Sequence, residues 1–359
     1  MNNIDLFKEY YKNVKLKLNK KIEKFNDLIV KEENEIIKNN IILFKNLNSD
    51  GKLIRGTLVN LGYNLLKEDN LDYSYDLALA FEIFQTAILV HDDIIDNDDL
   101  RRGKETIHSH NHKKYYNLTK DNESKKVSES IAICMGDMGL FYANKVIATS
   151  YKNDKNLGEI LIYFNDIVLK TIKGELLDVT LPFLEKNNLN RNNLEENILL
   201  IYKLKTAYYT IIGPICLGMI LAGTNKEQIK KITEFGYNVG IAFQIQDDIL
   251  GIYSENEKLG KNIGTDIEEF KQTILYSYVK ENEEYFEELM NYYGKKVDIN
   301  DIKAVQEIFT KSKALEYSKK MVDNLYNDAI NKLDEIEFIK ENEKNILKGF
   351  IEFLKDRKK

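Results

Sequence analysis

The chain of 359 residues has only 2 prolines, 2 cysteines and no tryptophan, and its 18 glycines are thinly spread. A β-sandwich or barrel needs frequent Gly/Pro turns, so both are excluded, whereas long helices with few breaks fit. Cys134 and Cys216 lie in apolar surroundings with no CxxC spacing. That argues against a disulfide scaffold or a zinc site and suits a reducing cytoplasm. Positive charge is not in excess: 52 Lys+Arg against 58 Asp+Glu leaves a net charge of −6. Binding of nucleic acid through overall charge is therefore not expected. The first residues lack the apolar centre of a signal peptide. One uncharged stretch, TAYYTIIGPICLGMILAGTN from Thr206 to Asn225, reaches the about 20 residues a membrane span needs. It holds Pro214, glycines and polar groups, so a buried helix is expected there and no membrane span. What the chain does have is 43% hydrophobic residues, enough for a sizeable core.

Apolar residues recur at helical spacing, as in Ile22, Phe25, Leu28 and Ile29, and again in Leu77, Phe81, Phe84 and Ile88. The spacing predicts helices over about 3–39, 51–67, 72–97, 127–151, 156–184, 194–223, 226–252, 267–291, 312–334 and 341–356. Polar stretches at about 111–126, 185–195 and 254–266 read as a solvated loop, a helix connection and a structured loop. No repeat or Pro/Ser-rich linker divides the chain. The expectation is a single all-α domain over 1–359, with N-terminal helices (1–45), a motif-bearing core (46–280) and C-terminal helices (281–359).

Two acidic clusters stand out. The first is His91-Asp92-Asp93-Ile94-Ile95-Asp96, running on to Asp98 and Asp99, at the end of the apolar helix FEIFQTAILV. Asp92 and Asp96 sit one turn apart on one face. Carboxylates that close repel unless a cation lies between them, and acids at a helix C-terminus oppose its dipole. The second is Gln244-Ile245-Gln246-Asp247-Asp248, closing the run YNVGIAF. Two acidic pairs facing each other across a cavity would suit a hard divalent cation, most simply Mg²⁺, which keeps waters and shares a substrate phosphate. Basic residues accompany them: Lys52 and Arg55 in GKLIRG, Arg101 and Arg102, Lys205 beside Thr206, Lys261 and Lys271. Together they could serve two diphosphates, one through metal and one through Lys/Arg alone.

The ordered set GKLIRG, HDDIIDNDDLRRGKETIH, GELLD, LKTAYY, FQIQDDILG and GKNIGTDIEEFKQT resembles the trans-polyprenyl diphosphate synthases, from about Gly51 to Thr273. The resemblance implies a helical isoprenoid-synthase bundle around a central cavity, acting as a homodimer in the cytoplasm. It implies Asp92, Asp96 and Asp247 as ligands of three Mg²⁺, with Asp93, Asp99 and Asp248 in support. Arg101, Lys205, Gln244 and Lys261 would contact the allylic diphosphate, with Thr206 and Lys271 beside them. Lys52, Arg55, Gln85 and Arg102 would take isopentenyl diphosphate. Helix geometry independently puts Gln85 seven residues before Asp92, on the same face. Phe243, Thr206 and Tyr209 would neighbour the allylic cation.

Four positions depart from the family pattern. Gly56 and Glu105 replace prolines, Glu175 replaces a glutamine while Asp178 is kept, and Gly251 replaces the last acid of the second motif. For product length, Ala87 and Ile88 stand where short-product members place a bulky aromatic. Phe84, about 12 Å below Asp92, would then be the floor, which favours C20 over C15. If the floor comes from another helix, C25 or longer products follow.

HSHNH places His108, His110 and His112 close together, as expected of surface histidines rather than a metal site. The basic end Lys355-Asp356-Arg357-Lys358-Lys359 reads as a solvated tail. Three rivals are weighed. A class I terpene cyclase would not need GKLIR and Arg102. A head-to-head synthase would carry different acidic contexts. A non-catalytic partner subunit would have lost several of Asp92, Asp96, Asp247 and Lys205.

Overall fold

The computed structural model describes residues 2–31, 34–49, 51–67, 71–189, 193–254 and 264–357. The order is α1 (Asn3–Ile29), α2 (Glu35–Asn48), α3 (Ile54–Asn64), a 3-10 turn (Leu71–Ser74), α4 (Tyr75–Ile95), the hairpin strands β1 (Leu100–Arg101) and β2 (Lys104–Glu105), α5 (Ile107–Thr119), α6 (Glu123–Ser150) and α7 (Leu157–Lys186). Then follow α8 (Leu194–Ile201), a π-helical stretch (Tyr202–Ile212), α9 (Gly213–Ala222), α10 (Lys226–Tyr253), α11 (Thr265–Glu268), α12 (Ile274–Lys280), α13 (Glu283–Leu289), α14 (Ile299–Lys311), α15 (Ala314–Asp334) and α16 (Glu341–Lys355). The all-α expectation holds.

With so little Gly and Pro, side-chain caps start many of the helices. Asn34 accepts from Ile36 N and Ile37 N at the start of α2, so the helix expected over 3–39 is two helices. Thr106 caps α5, which corrects the loop expected over 111–126. Asn225 and Gln228 cap each other at α10, and Asp298 and Asp301 do so at α14, a helix that apolar spacing alone did not predict. The helix expected over 267–291 is three short ones.

Packing divides the chain into two compact units. The first-motif unit is Glu9–Ile162 with Leu217–Gly223. Its axis is α4, buried on nearly all sides: Leu77, Ala78, Ala80, Phe81, Ile83, Phe84 and Ala87 expose nothing. It crosses α6 closely because α6 offers small residues there. A side chain at Gly139 would meet Ala87 at 2.7 Å and Phe44 at 2.9 Å, and one at Gly136 would strike the His91 ring. A pocket of about 610 Å³ between α1, α4 and α6, with Phe25, Leu79 and Tyr142 in its wall, touches none of the predicted site residues.

The second-motif unit is Met1–Lys8, Tyr163–Cys216 and Thr224–Lys359. Here α10 packs on the π-helical stretch and on α15. Gly240 lies against Ala207 and Gly236 against Ile212, both closer than a side chain would allow. The π-helical winding shows in Gly213 N donating to Tyr208 O, five residues back. Pro214, which follows, has no N–H to offer the preceding turn, and this favours the wider winding.

Among the described residues two helical segments are long and apolar enough to cross a membrane: Glu123–Ser150, and Leu194–Ala222, whose apolar window is 83% buried, as expected of a core helix.

Candidate active site

In the first-motif unit, α4 ends at the acids because Asp96 N donates to Asp92 O, Asn97 turns into positive φ, and Asp98 N returns to Asp93 O at 2.9 Å. The chain then runs into the β1–β2 hairpin, whose two-residue turn, Arg102-Gly103, has positive φ at both positions. The hairpin folds Arg101 back over the acids. Arg101 Nε donates to Asp93 Oδ1 at 2.5 Å, and a terminal nitrogen reaches Asp92 at 3.4 Å and Asp98 at 3.2 Å. Burial pushes the Asp93 carboxyl up to about 6, although Arg101 pulls it down. The three carboxylates outweigh burial at Arg101 and hold its guanidinium more firmly protonated. Both Arg101 nitrogens on Asp93 use Oδ1, and Asp93 Oδ2 is buried without accepting any hydrogen bond.

On the same unit, Glu82 of α4 is buried and accepts from Gly56 N at 2.7 Å. This explains one departure: proline at 56 has no N–H to give, and any side chain there would hit Leu18. Burial raises the Glu82 carboxyl above its ordinary range, against the pull of Arg55 and Arg102. The charges of the two arginines expected at isopentenyl diphosphate thus both act on one buried carboxylate. Arg102 also donates to Leu47 O at 3.5 Å. Lys52 is exposed and Gln85 half-buried. Phe84 is fully buried with its ring edge-on to Phe81 at 5.6 Å, Ala87 is packed on α6, and Ile88 is half-buried. Asp96 is half-buried and Asp99 exposed.

In the second-motif unit, Asp247 and Asp248 lie inside α10, which runs on to Tyr253, rather than at its end. A chain of bonds fixes Asp248. Thr206 donates to Gln244 Oε1 at 2.6 Å, Gln244 Nε2 donates to Asp248 Oδ1 at 2.8 Å, and Tyr202 OH donates to Asp248 Oδ2. Tyr202 OH in turn accepts from Ile274 N at 3.3 Å. Burial pushes the Asp248 carboxyl up. Lys205 is held by Glu175 at 2.7 Å and Asp178 at 2.6 Å, so the glutamate that departs from the family pattern is a second counter-ion for this lysine. Burial alone would raise Asp178; Lys205 and Lys271 outweigh it and lower the carboxyl. Gly174 allows the contact, since a side chain there would come within 2.6 Å of Lys205 N. Lys271 faces Asp266 at 3.5 Å. A side chain at Gly251 would lie 3.1 Å from Asp266 Oδ2, so Asp266 stands beside the position of the missing acid. Asp247 is held by Arg357 at 2.9 Å. Tyr209 is buried. Lys261 lies outside the described residues.

The sequence reading missed Tyr202, Glu82, Asp266 and Arg357. Asp266, Glu82 and Arg357 stood in stretches already quoted, but their partners, like those of Tyr202, are set by folding. The histidines do not converge: on a helix, positions two apart diverge by about 200°. His110 turns to Glu105, His112 to Ser124, and His108 is buried beside Thr106, which corrects the expectation of surface histidines. The basic tail is also corrected. Lys355 lies over the Tyr326 ring and Arg357 is engaged, while 358–359 lie outside the described residues.

Both donor sets are carboxylate oxygens, the chemistry of a hard cation. Among the described residues no three acids, histidines or cysteines converge to hold an ion unaided. Mg²⁺ takes one or two carboxylates and completes its shell with waters and phosphate, so these residues and the bare Asp93 Oδ2 fit it.

A family model described as polyprenyl synthetase matches residues 39–310. A geranylgeranyl diphosphate synthase of Saccharolobus solfataricus is 32% identical over 317 residues, 86% of this chain and 87% of the relative. A short chain isoprenyl diphosphate synthase of Methanocaldococcus jannaschii is 31% identical over 273 residues, 75% of each chain. Among solved structures, a geranylgeranyl pyrophosphate synthase from Corynebacterium glutamicum, complexed with isoprenyl diphosphate and magnesium, superposes with TM-score 0.85. It is 24% identical and covers 99% of this chain and 100% of its own, a likeness of fold.

Proposed function

The chain belongs to the polyprenyl synthetase family and is a prenyltransferase, and on that premise we propose that it condenses isopentenyl diphosphate head to tail with an allylic diphosphate to give geranylgeranyl diphosphate (C20). The observation that carries this reading is the pair of acidic motifs, each balanced by cationic side chains, with no activated nucleophile among the described residues near either. Burial pushes the Cys216 thiol up to about 11, which disqualifies it as a thiolate.

Asp92 and Asp96, and separately Asp247, are the residues that would hold Mg²⁺. When bound, the ions supply charge that stabilises the departing diphosphate. Arg101 and Lys205 are the cationic side chains that would bind the allylic diphosphate. Lys52, Arg55, Gln85 and Arg102 hold isopentenyl diphosphate. The allylic C–O bond breaks with its electron pair going to diphosphate. The π electrons of isopentenyl diphosphate form the new C–C bond, and a proton leaves for the released diphosphate as the trans double bond forms. Apolar burial around α4 keeps water from the cation. Thr206, Gln244 and Tyr202 serve by fixing Asp248 and so the rotation of α10.

The functional unit we propose is a homodimer in the cytoplasm. On α7, Leu169, Ile172, Leu176, Val179 and Phe183 are exposed at alternating spacings of three and four, the seam of a coiled coil. Such a stripe fits a second copy of itself. Leu176→Glu should give monomers in sedimentation, and an unchanged dimer would remove this seam.

The test of the function is incubation with isopentenyl diphosphate and, separately, dimethylallyl, geranyl or farnesyl diphosphate, with Mg²⁺ or EDTA, read by mass spectrometry. A Mg²⁺-dependent ladder ending at C20 is expected. No condensation with any primer would sink the proposal. Phe84→Ala should lengthen the products, and an unchanged distribution would remove Phe84 as the floor.

A further inference from the structure

The acids of the first motif are neutralised by an arginine of their own hairpin. Asp247, in contrast, is met by a cation from the far end of the chain. Arg357 places a terminal nitrogen 2.9 Å from Asp247 Oδ1 and its guanidinium 4.7 Å above the Phe243 ring. Phe243 and Asp247 are one turn apart, so a single side chain covers that face of α10.

The arginine is delivered there by a fixed support. Helix α16 is anchored through Phe350 and Phe353 on Phe7, with rings 5.2 and 5.3 Å apart. At Gly349 the backbone of Asn3 comes so close that no side chain could stand there. The C-terminal end of α16 is then tied to α10: Gln246 Nε2 donates to Lys355 O at 3.2 Å, and Gln246 Oε1 accepts from Tyr326 OH at 3.1 Å. Lys355 itself covers the Tyr326 ring. Residues 355–357 thus form a clasp on the second motif and its neighbour α15, made of one ion pair, two cation–π contacts and one carbonyl bond.

We propose that Arg357 is the exchangeable counter-ion of Asp247, so that Mg²⁺ reaches this carboxylate only by displacing the C-terminal clasp, and Arg357 sets the Mg²⁺ requirement of the second motif. The inference rests on the assignment of Asp247 as a metal ligand. Two cations cannot share one partly exposed carboxylate without repelling each other, so occupancy by one weakens the other. The cost to Mg²⁺ is the loss of an ion pair and a cation–π contact, together a factor of about three to thirty in affinity.

The test follows Mg²⁺ binding by calorimetry, and backbone hydrogen exchange of residues 352–357, at constant inorganic pyrophosphate. Wild-type protein, Arg357→Ala, Arg357→Lys and Asp247→Asn are compared. In the wild type, exchange near Arg357 should quicken as Mg²⁺ saturates. In Arg357→Ala, half-saturation should fall by that three- to thirtyfold, with exchange already fast without metal. Arg357→Lys, which keeps the charge without the planar fork, should lie between. Half-saturation of Arg357→Ala within twofold of wild type, or a C-terminus indifferent to saturating Mg²⁺, overturns the inference. Asp247→Asn separates the two readings. If it leaves Mg²⁺ stoichiometry unchanged, the assignment of Asp247 falls and takes this inference with it. If it removes a site while Arg357→Ala changes nothing, only the role of Arg357 falls.

Discussion

The two acidic motifs look alike in sequence and are built differently. Around Asp92 and Asp93 the cation, Arg101, is less than ten residues away, carried by a tight hairpin. Around Asp247 and Asp248, Gln244 is local on α10, whereas Tyr202 and Arg357 are distant in sequence and Thr206 acts through Gln244; packing of α10 on the π-helical stretch and the anchored α16 bring these three in. A locally built acid cluster is neutralised as soon as its own hairpin forms. A cluster assembled from distant elements depends on the whole unit, and its counter-ion can be withdrawn without unfolding anything else.

The largest expected break in the comparison is catalytic. Asp92→Ala should lower kcat/KM on the order of 10³-fold, because two metal carboxylates are proposed for the first motif. Asp247→Ala should cost on the order of 10²-fold, with one. Equal losses in steady-state assays would erase the asymmetry. Stability should separate the motifs next. Arg101→Ala leaves Asp93 buried and unpaired, a loss of about 3 kcal/mol in urea unfolding. Arg357→Ala breaks a pair whose Asp247 side chain is 33% exposed, and should cost less than about 1 kcal/mol.

Glu82 and Asp178, one in each unit, should also respond oppositely to pH. Glu82 is raised by burial, so its favourable contribution is complete below the ordinary value of 4.5 and is lost as pH rises through its higher folded value. Asp178 is lowered by Lys205 and Lys271 against its burial, so its contribution is present above 3.8 and is lost as pH falls through its lower folded value. Glu82→Gln should therefore flatten the fall of stability on the alkaline side and Asp178→Asn the fall on the acid side, in urea unfolding from pH 3 to 8. Swapped effects would refute the assignment. The smallest effect is expected at the missing acid. Gly251→Asp sets a carboxylate beside Asp266 and should lower stability by a few tenths of a kcal/mol through like-charge repulsion. A gain would mean that Lys271 accepts both acids.

Legibility followed locality here. The α4 run ending in Asp92, Asp93 and Asp96 could be read directly, because helix periodicity and charge lie within one stretch of chain. The short helices α11–α13 could not, since α12 is almost wholly buried and its ends are set by Thr273 and Glu281 rather than by apolar period. α5 was misread as a loop because its polar face outweighs the few buried positions, Ile107, His108, Ser109 and Asn111. Asp248 read as an acid in support of Asp247, and its hydrogen-bond donors Tyr202 and Gln244 were not legible as its partners.

The sequence by itself determined the helical class, the two acidic motifs and the basic residues that accompany them. These follow from period and charge, which act between near neighbours along the chain. Only the tertiary structure decided which cations neutralise the acids away from that hairpin: Lys205 between Glu175 and Asp178, Arg357 on Asp247. An ion pair depends on distance in space and on burial, and both are set by close helix crossings at Gly174, Gly240 and Gly349 rather than by the order of residues.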